Sequence, residues 1–273
     1  MRILGFKIIE EKGTKVVIME EFEKTNIVKH GFSTRLGGVS KGAYTTLNLG
    51  LKTKDNKEDV IKNINFFCKT INTSFCNLVL ADQVHGDSIK IVTQEDRGKG
   101  IHYKRDYEGI DGLITNQRGL ALMTFHADCV PLLFLDPVMK VVAASHAGWK
   151  GTMMKIGQKT VAKMIKEFGS NPQDILVGIG PSIGQCCYEV SEDVIKKFNT
   201  NFTQPCNFAI ATTGEKYLLN LWEANRLQLE EIGVLHRNII VSNMCTACGE
   251  DLFYSHRRDK GLTGRMASII QLI

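Results

Sequence analysis

Leu120-Ala121-Leu122-Met123-Thr124-Phe125, Leu132-Leu133-Phe134-Leu135 and Val141-Val142-Ala143-Ala144-Ser145 are three short apolar runs separated by polar or turn-forming residues. Runs of this length, bounded by Gly, Asp and Asn, read as strands, because a helix needs ten or more residues to present a packed face. Working outward, the same pattern recurs at residues 15–19, 26–32, 78–81, 89–92, 175–179, 239–242 and 267–272. Helical spacing appears at 60–70, 152–168, 191–198 and 218–232, the last with Leu218, Trp222, Asn225, Leu229 and Ile232 near one face. From 78 to 145 the strands follow one another with no helix between them. A simple alternating β-α sheet is thereby excluded, and an α+β fold with helices covering packed mixed sheets is expected.

The chain has 273 residues, is 43% hydrophobic and contains five prolines. It shows no low-complexity stretch and no repeat, so one continuous domain over 1–273 is expected. No stretch reaches the roughly eighteen apolar residues of a membrane span, and the opening residues are too short for a secretory signal. A cytoplasmic enzyme is the expectation, with no membrane partner. The net charge of +5 is scattered, with its densest groups at 52–57 and at Arg257-Arg258 with Lys260. That distribution argues against nucleic acid and suits small anions such as phosphate.

Eight cysteines without a secretory signal read as reduced thiols rather than a disulfide framework. Cys245-Thr246-Ala247-Cys248 has the spacing of a zinc or redox pair, but no second such pair exists to complete a four-sulfur site. Cys186 and Cys187 are adjacent, and neighbours on a strand point to opposite faces.

His85, Cys129 and His146 each sit in a Gly- or Ala-rich segment, 44 and 17 residues apart. No local finger holds them, and each follows or ends an expected strand. Two imidazoles and one thiolate from separate elements, with a fourth position open, is the usual construction of catalytic zinc. The same residues allow a second chemistry, in which Cys129 is a nucleophile and His146 its base, acting on an amide or acyl substrate. A closed structural site with His126 or Cys245 as fourth ligand is a third possibility. Copper would also suit the donors, but none of the seven histidines forms the His-x-His pair of a full multicopper oxidase. Gly148 and Gly151 flank Trp149-Lys150 and predict a turn into a helix near 152, whose N-terminus is a candidate anion site.

Taken together, these segments resemble the YfiH-like family, also called the laccase-domain or multicopper polyphenol oxidase family. The matching stretches are His30-Gly31-Phe32-Ser33-Thr34-Arg35, Gly37-Gly38-Val39-Ser40, Leu47-Asn48-Leu49-Gly50, Gln83-Val84-His85-Gly86, Asp111-Gly112, Ala127-Asp128-Cys129 with Pro131, and His146-Ala147-Gly148-Trp149-Lys150-Gly151. Gly178-Ile179-Gly180-Pro181-Ser182-Ile183 and Cys245-Thr246 with Ser255-His256-Arg257-Arg258 complete the set, in the family's order. The resemblance implies a mixed β-sandwich flanked by helices, a fold shared with toxin deamidases that use a Cys-His pair. It implies a metal on His85, Cys129 and His146, zinc in most members and copper in some. The implied activity is phosphorolysis of adenosine, inosine and methylthioadenosine, with adenosine deamination as a further reaction. A peptidoglycan-precursor amidase is the rival hydrolase, and a weak copper polyphenol oxidase the rival redox enzyme. Arg35, Lys150 and Arg258 are candidates to anchor phosphate, and Asn48 to hold a ribose hydroxyl. Two positions depart from the family pattern: His126 stands where Thr is common, and Lys150 where Arg is common, which loses a bidentate fork.

Overall fold

The computed structural model describes residues 2–3, 5–202 and 208–273, so Cys206 lies outside the described residues. The chain begins with β1 (Arg2–Ile3), β2 (Phe6–Glu11), β3 (Thr14–Met19), a short helix α1 (Glu20–Lys24) and β4 (Val28–Ser33). Helix α2 (Lys57–Thr70) leads to β5 (Leu78–Leu80), β6 (Ile89–Ile91) and β7 (Gly112–Thr115). Three longer strands follow, β8 (Ala121–His126), β9 (Val130–Asp136) and β10 (Val141–Ala147). Helices α3 (Trp149–Met153) and α4 (Ile156–Phe168) precede β11 (Leu176–Ile179). The last part holds β12 (Glu189–Ser191), α5 (Glu192–Asn201), β13 (Ala209–Ala211), β14 (Lys216–Leu219), α6 (Leu221–Glu231), β15 (Ile239–Val241) and β16 (Met266–Leu272). Among the described residues, no helix is long and apolar enough to cross a membrane.

Two large sheets face each other. The first runs β1-β2-β3-β4-β16-β8-β5 and the second β15-β11-β9-β10-β7-β6, with a small third sheet β12-β14-β13. Strand alternation divides the apolar residues among three layers of core. Val17, Met19, Leu122 and Ile270 of the first sheet meet Leu133, Leu135, Val142 and Ala144 of the second. Their neighbours Val16, Ile18, Met123 and Ile269 point the other way and pack under Val60, Ile64 and Phe67 of α2. On the far side of the second sheet, Leu132, Phe134, Val141 and Ala143 meet Val161 and Met164 of α4 and Leu229 of α6. The central strands are therefore buried on both faces, which is why they read as continuous apolar runs. The expected α+β sandwich with flanking helices is the observed architecture.

The predicted helix over 152–168 divides in two. Lys155 adopts a left-handed conformation with φ 62°, closing the five-residue α3 and opening α4. A five-residue helix aligns too few peptide dipoles to act as the anion site expected of it.

The route of the chain between the sheets brings the site together. Strands β5 and β8 are parallel neighbours, so the loops that follow them leave the first sheet from the same edge. Both loops cross to the second sheet, the first carrying His85 and the second Cys129. Strand β10 returns antiparallel to β9 with His146 opposite Pro131, which sets it beside the start of β9 and therefore beside Cys129.

Candidate metal centre and active site

The ligand atoms of His85, Cys129 and His146 all lie within 4.8 Å of one another. The two imidazole rings stand edge to face, with centroids 4.9 Å apart. His146 is buried, Cys129 half-buried and His85 exposed, so the cluster opens on one side. Gly148 leaves the room it needs, since a Cβ there would sit 3.1 Å from Cys129 Sγ and 3.2 Å from His85 Cδ2.

Asp111, which sequence reasoning matched but gave no role, organises the trio. Its carboxylate is fully buried. Backbone N–H groups of Val84, His85 and Gly86 donate to it at 3.1, 3.1 and 2.8 Å, which holds His85 in its left-handed conformation of φ 63°. The same carboxylate lies 2.7 Å from His146 Nδ1. A carboxylate there fixes the proton on Nδ1 and leaves Nε2 as the free, basic nitrogen, the usual support of a metal-ligating histidine. Burial alone would raise the Asp111 pKa, but the His146 bond and charge and the loop N–H groups hold it below the ordinary carboxylate range.

The electrostatics of the trio suit a cation. Burial opposes ionisation of Cys129, yet the charge of His146 and hydrogen bonds from His146 and His85 outweigh it and bring the thiol down to about 6. Burial likewise opposes protonation of His146, and the Cys129 thiolate together with Asp111 carries it up to about 9. A proton thus sits where a metal ion would do the same charge balancing. The donors, two imidazoles and a thiolate, fit zinc or copper and do not suit hard, oxygen-seeking ions.

The trio lines a cavity of about 620 Å³. Its walls carry the rings of Phe125, Trp149 and Tyr188 and the cationic groups of Arg105, Arg257 and Arg265. Gln83 ties the His85 loop to the end of β8, donating to the Phe125 carbonyl at 2.6 Å and accepting from the Phe125 N–H at 2.7 Å. Asp128 orders the opposite loop: its carboxylate accepts from Thr246 Oγ1 and from the Arg257 N–H, each at 2.7 Å. His126 also lines the cavity, is buried and lies outside the trio, and neither ring nitrogen makes a hydrogen bond of good geometry.

Arg35, Asn48 and Lys150 are not among the residues lining this cavity. Arg35 donates to the Thr45 and Glu250 carbonyls and stacks on Tyr254, with its guanidinium carbon 4.8 Å from the ring centroid. Asn48 is fully buried and its amide is spent on Thr53, Asp55, Gly50 and Arg265. Lys150 is exposed beside the Trp149 ring. Arg258 caps the Thr246, Ala247 and Phe253 carbonyls and is a strut of the fold. Arg105, Arg257 and Arg265 instead bring positive charge to the cavity, from loops whose approach no local sequence spacing announces.

The chain matches the family model described as multi-copper polyphenol oxidoreductase laccase over residues 29–273. It is 43% identical over 241 residues to the purine nucleoside phosphorylase YlmD of Bacillus subtilis, covering 88% of this chain and 87% of that one. It is 33% identical over 270 residues to a purine nucleoside phosphorylase of Bacteroides thetaiotaomicron, covering 96% and 97%. Its structure superposes on the Bacillus licheniformis hypothetical protein YfiH with a TM-score of 0.93 at 39% identity, covering 99% and 100% of the two chains. YlmD of Geobacillus stearothermophilus gives a TM-score of 0.91 at 37% identity, covering 98% of each. With the family model matching residues 29–273 and relatives up to 43% identical over most of its length, the chain belongs to the laccase-domain, YfiH-like family.

Proposed function

We propose that this chain is a zinc-dependent purine nucleoside phosphorylase acting on adenosine, inosine and methylthioadenosine, with adenosine deamination as a second reaction. The observation that carries this reading is an open His85–Cys129–His146 cluster on the wall of a cavity that also presents aromatic faces and arginines. Its volume falls within the roughly 300–1,000 Å³ of small-molecule sites, and relatives over nearly the full chain bear the phosphorylase name. A zinc ion on the three ligands supplies Lewis acidity, which polarises an oxygen-bearing group and acidifies water. The protein's own residues supply the rest. Phe125, Trp149 and Tyr188 offer flat faces to a purine, and Arg257 and Arg265 offer charge to phosphate near the ribose. Arg105 is already engaged by Asp82 at 2.8 Å and contributes less free charge.

A second reading has its own observation. Cys129, His146 and Asp111 stand in the order of a nucleophile, base and orienting carboxylate, with the thiol lowered to about 6. That arrangement suits a thiol amidase acting on a cell-wall precursor. Multicopper oxidase chemistry has less support: among the described residues the trio is the one histidine-containing cluster with metal-ligand spacing, and no set of histidines forms a further copper cluster.

The test is metal analysis of the purified protein alongside product analysis with adenosine, with and without phosphate. Adenine formed only with phosphate is the expected result, and inosine formed without phosphate identifies the second reaction. A metal-loaded sample that yields neither overturns the proposal. Activity towards an amide substrate that survives both metal stripping and His85→Ala selects the thiol mechanism, since only the metal reading needs His85.

A further inference from the structure

We propose that Cys186, Cys187, Cys245 and Cys248 form a second, structural metal site, a closed four-thiolate centre that holds zinc and staples the segment after β11 to the segment after β15. The four sulfur atoms lie within 4.8 Å of one another. Cys248 Sγ is 3.5 Å from Cys186 Sγ and 3.3 Å from Cys187 Sγ. Tetrahedral zinc with bonds of about 2.3 Å requires sulfur atoms about 3.8 Å apart, so small side-chain adjustments seat the ion.

The sequence expectation that adjacent cysteines diverge fails here for a local reason. Cys186 and Cys187 lie in a 3-10 turn spanning Gln185–Cys187, not in a strand, and both sulfurs reach Cys248. The missing second pair of a four-sulfur site is therefore this dipeptide. A parallel bridge between Ser182 and Cys245 sets the two segments side by side, with the Thr246 N–H donating to the Ser182 carbonyl at 3.0 Å. The Gly184 N–H points at Cys245 Sγ at 3.2 Å, a contact that stabilises a thiolate. Gly184 also keeps the space tight but open: a Cβ would lie 3.0 Å from Trp222 Cη2, 3.1 Å from Cys245 Cβ and 3.3 Å from Cys186 Sγ.

Four converging thiols distinguish a metal site from the alternatives. Cys248 Sγ is shared between Cys186 and Cys187 rather than paired with one of them, and all four are free thiols, while a hydrophobic role does not suit Cys186 and Cys248, which are exposed. Four protein ligands leave no open position, so the centre is structural rather than catalytic. Its placement nevertheless bears on the cavity. Ile183 and Tyr188, on either side of Cys186-Cys187, line the cavity, and Thr246, inside the Cys-x-x-Cys turn, bonds Asp128 beside Cys129.

The experiment counts zinc per chain in protein purified under reducing conditions, for the wild type, Cys248→Ser and His85→Ala. Two equivalents in the wild type and one in each variant are expected. Cobalt reconstitution identifies the sites: the absorption of a tetrahedral four-thiolate cobalt centre persists in His85→Ala and is lost in Cys248→Ser. Should Cys248→Ser fail to fold, the cobalt spectrum of His85→Ala decides alone. Absence of that four-thiolate absorption in His85→Ala overturns the proposal. So does a disulfide among the four cysteines mapped in anaerobically prepared protein. The four-thiolate cobalt absorption in His85→Ala depends neither on the nucleoside reaction nor on the metal at the first cluster, so that readout lets the two proposals stand or fall separately.

Discussion

Asp111 links two of the three ligands of the trio. One buried carboxylate accepts three loop N–H groups and orients His146, so two of the three ligands depend on it. Asp111→Asn keeps the shape but replaces one acceptor oxygen by an NH2 group, which cannot serve both the loop and His146 Nδ1. Metal affinity is expected to fall about 10–100-fold, the usual cost of losing such a support. Competition with a chromophoric chelator measures it, and an unchanged affinity would show that other contacts hold the ligands. His85, Cys129 and His146 were legible in the sequence because each carries ligand chemistry inside a small-residue turn. Asp111 was not, because its role consists of bonds to residues 25 to 35 positions away. Asn48 shows the converse: a polar residue in a family motif reads as a substrate contact, and the structure spends its whole amide on neighbouring loops, including the Arg265 N–H at 2.8 Å.

At the scale of elements, helix α2 shows how the loops near the site are fastened. Asn63, fully buried on α2, donates to Ser40 Oγ and to the Thr46 and Asn48 carbonyls, and accepts from the Val39 N–H at 2.9 Å. It thus binds the Gly37–Ser40 and Leu47–Gly50 motifs to the helix. Asn63→Ala leaves several buried polar groups without partners, each costing about 1–3 kcal/mol. A loss of at least about 2 kcal/mol is expected in urea denaturation, and a shift below about 0.5 kcal/mol would show that solvent replaces the amide. Most strands of the sandwich were readable from apolar runs because burial on both faces removes polar interruptions, but β7, four residues bounded by Gly112 and Thr115, was not, although it is buried throughout. Strand β2 was not, since its residues are mostly half-exposed and end in Glu10-Glu11. The break between α3 and α4 was equally hidden: Lys155 takes a left-handed conformation without the Gly or Pro that would signal it. The 3-10 turn of Cys186-Cys187 is the same kind of case, a local geometry imposed by pairing with a segment about sixty residues on.

Across the whole molecule, the proton balance of the buried histidines contributes to acid stability alongside carboxylates such as Asp111 that are held below their ordinary range. The trio contributes little to it near neutrality. In the folded, metal-free pair the proton moves from Cys129 to His146, and between about 6.5 and 9 the unfolded chain holds the same single proton on the cysteine, so the balance does not change. His30 behaves differently. It is buried in β4 and packed edge-on to Phe22; burial drives its pKa down to about 3, and its Nε2 accepts the Met19 N–H at 2.8 Å, a bond only the neutral ring can make. His126 in β8 is also held down to about 3, by burial and then by the charge of His146. Below pH 6.5 the unfolded chain binds protons that these two folded imidazoles refuse, so stability falls with acidification until about pH 3. Each histidine contributes a slope of about 1.4 kcal/mol per pH unit in that window. Both lie in the first sheet of the sandwich. His30→Gln keeps an acceptor for the Met19 N–H and removes the titration. Denaturation midpoints at pH 7, 6, 5 and 4 should therefore converge for His30→Gln relative to wild type, and the difference between the two proteins isolates His30 from the acid release of any metal. Parallel pH profiles would place the acid sensitivity elsewhere in the fold.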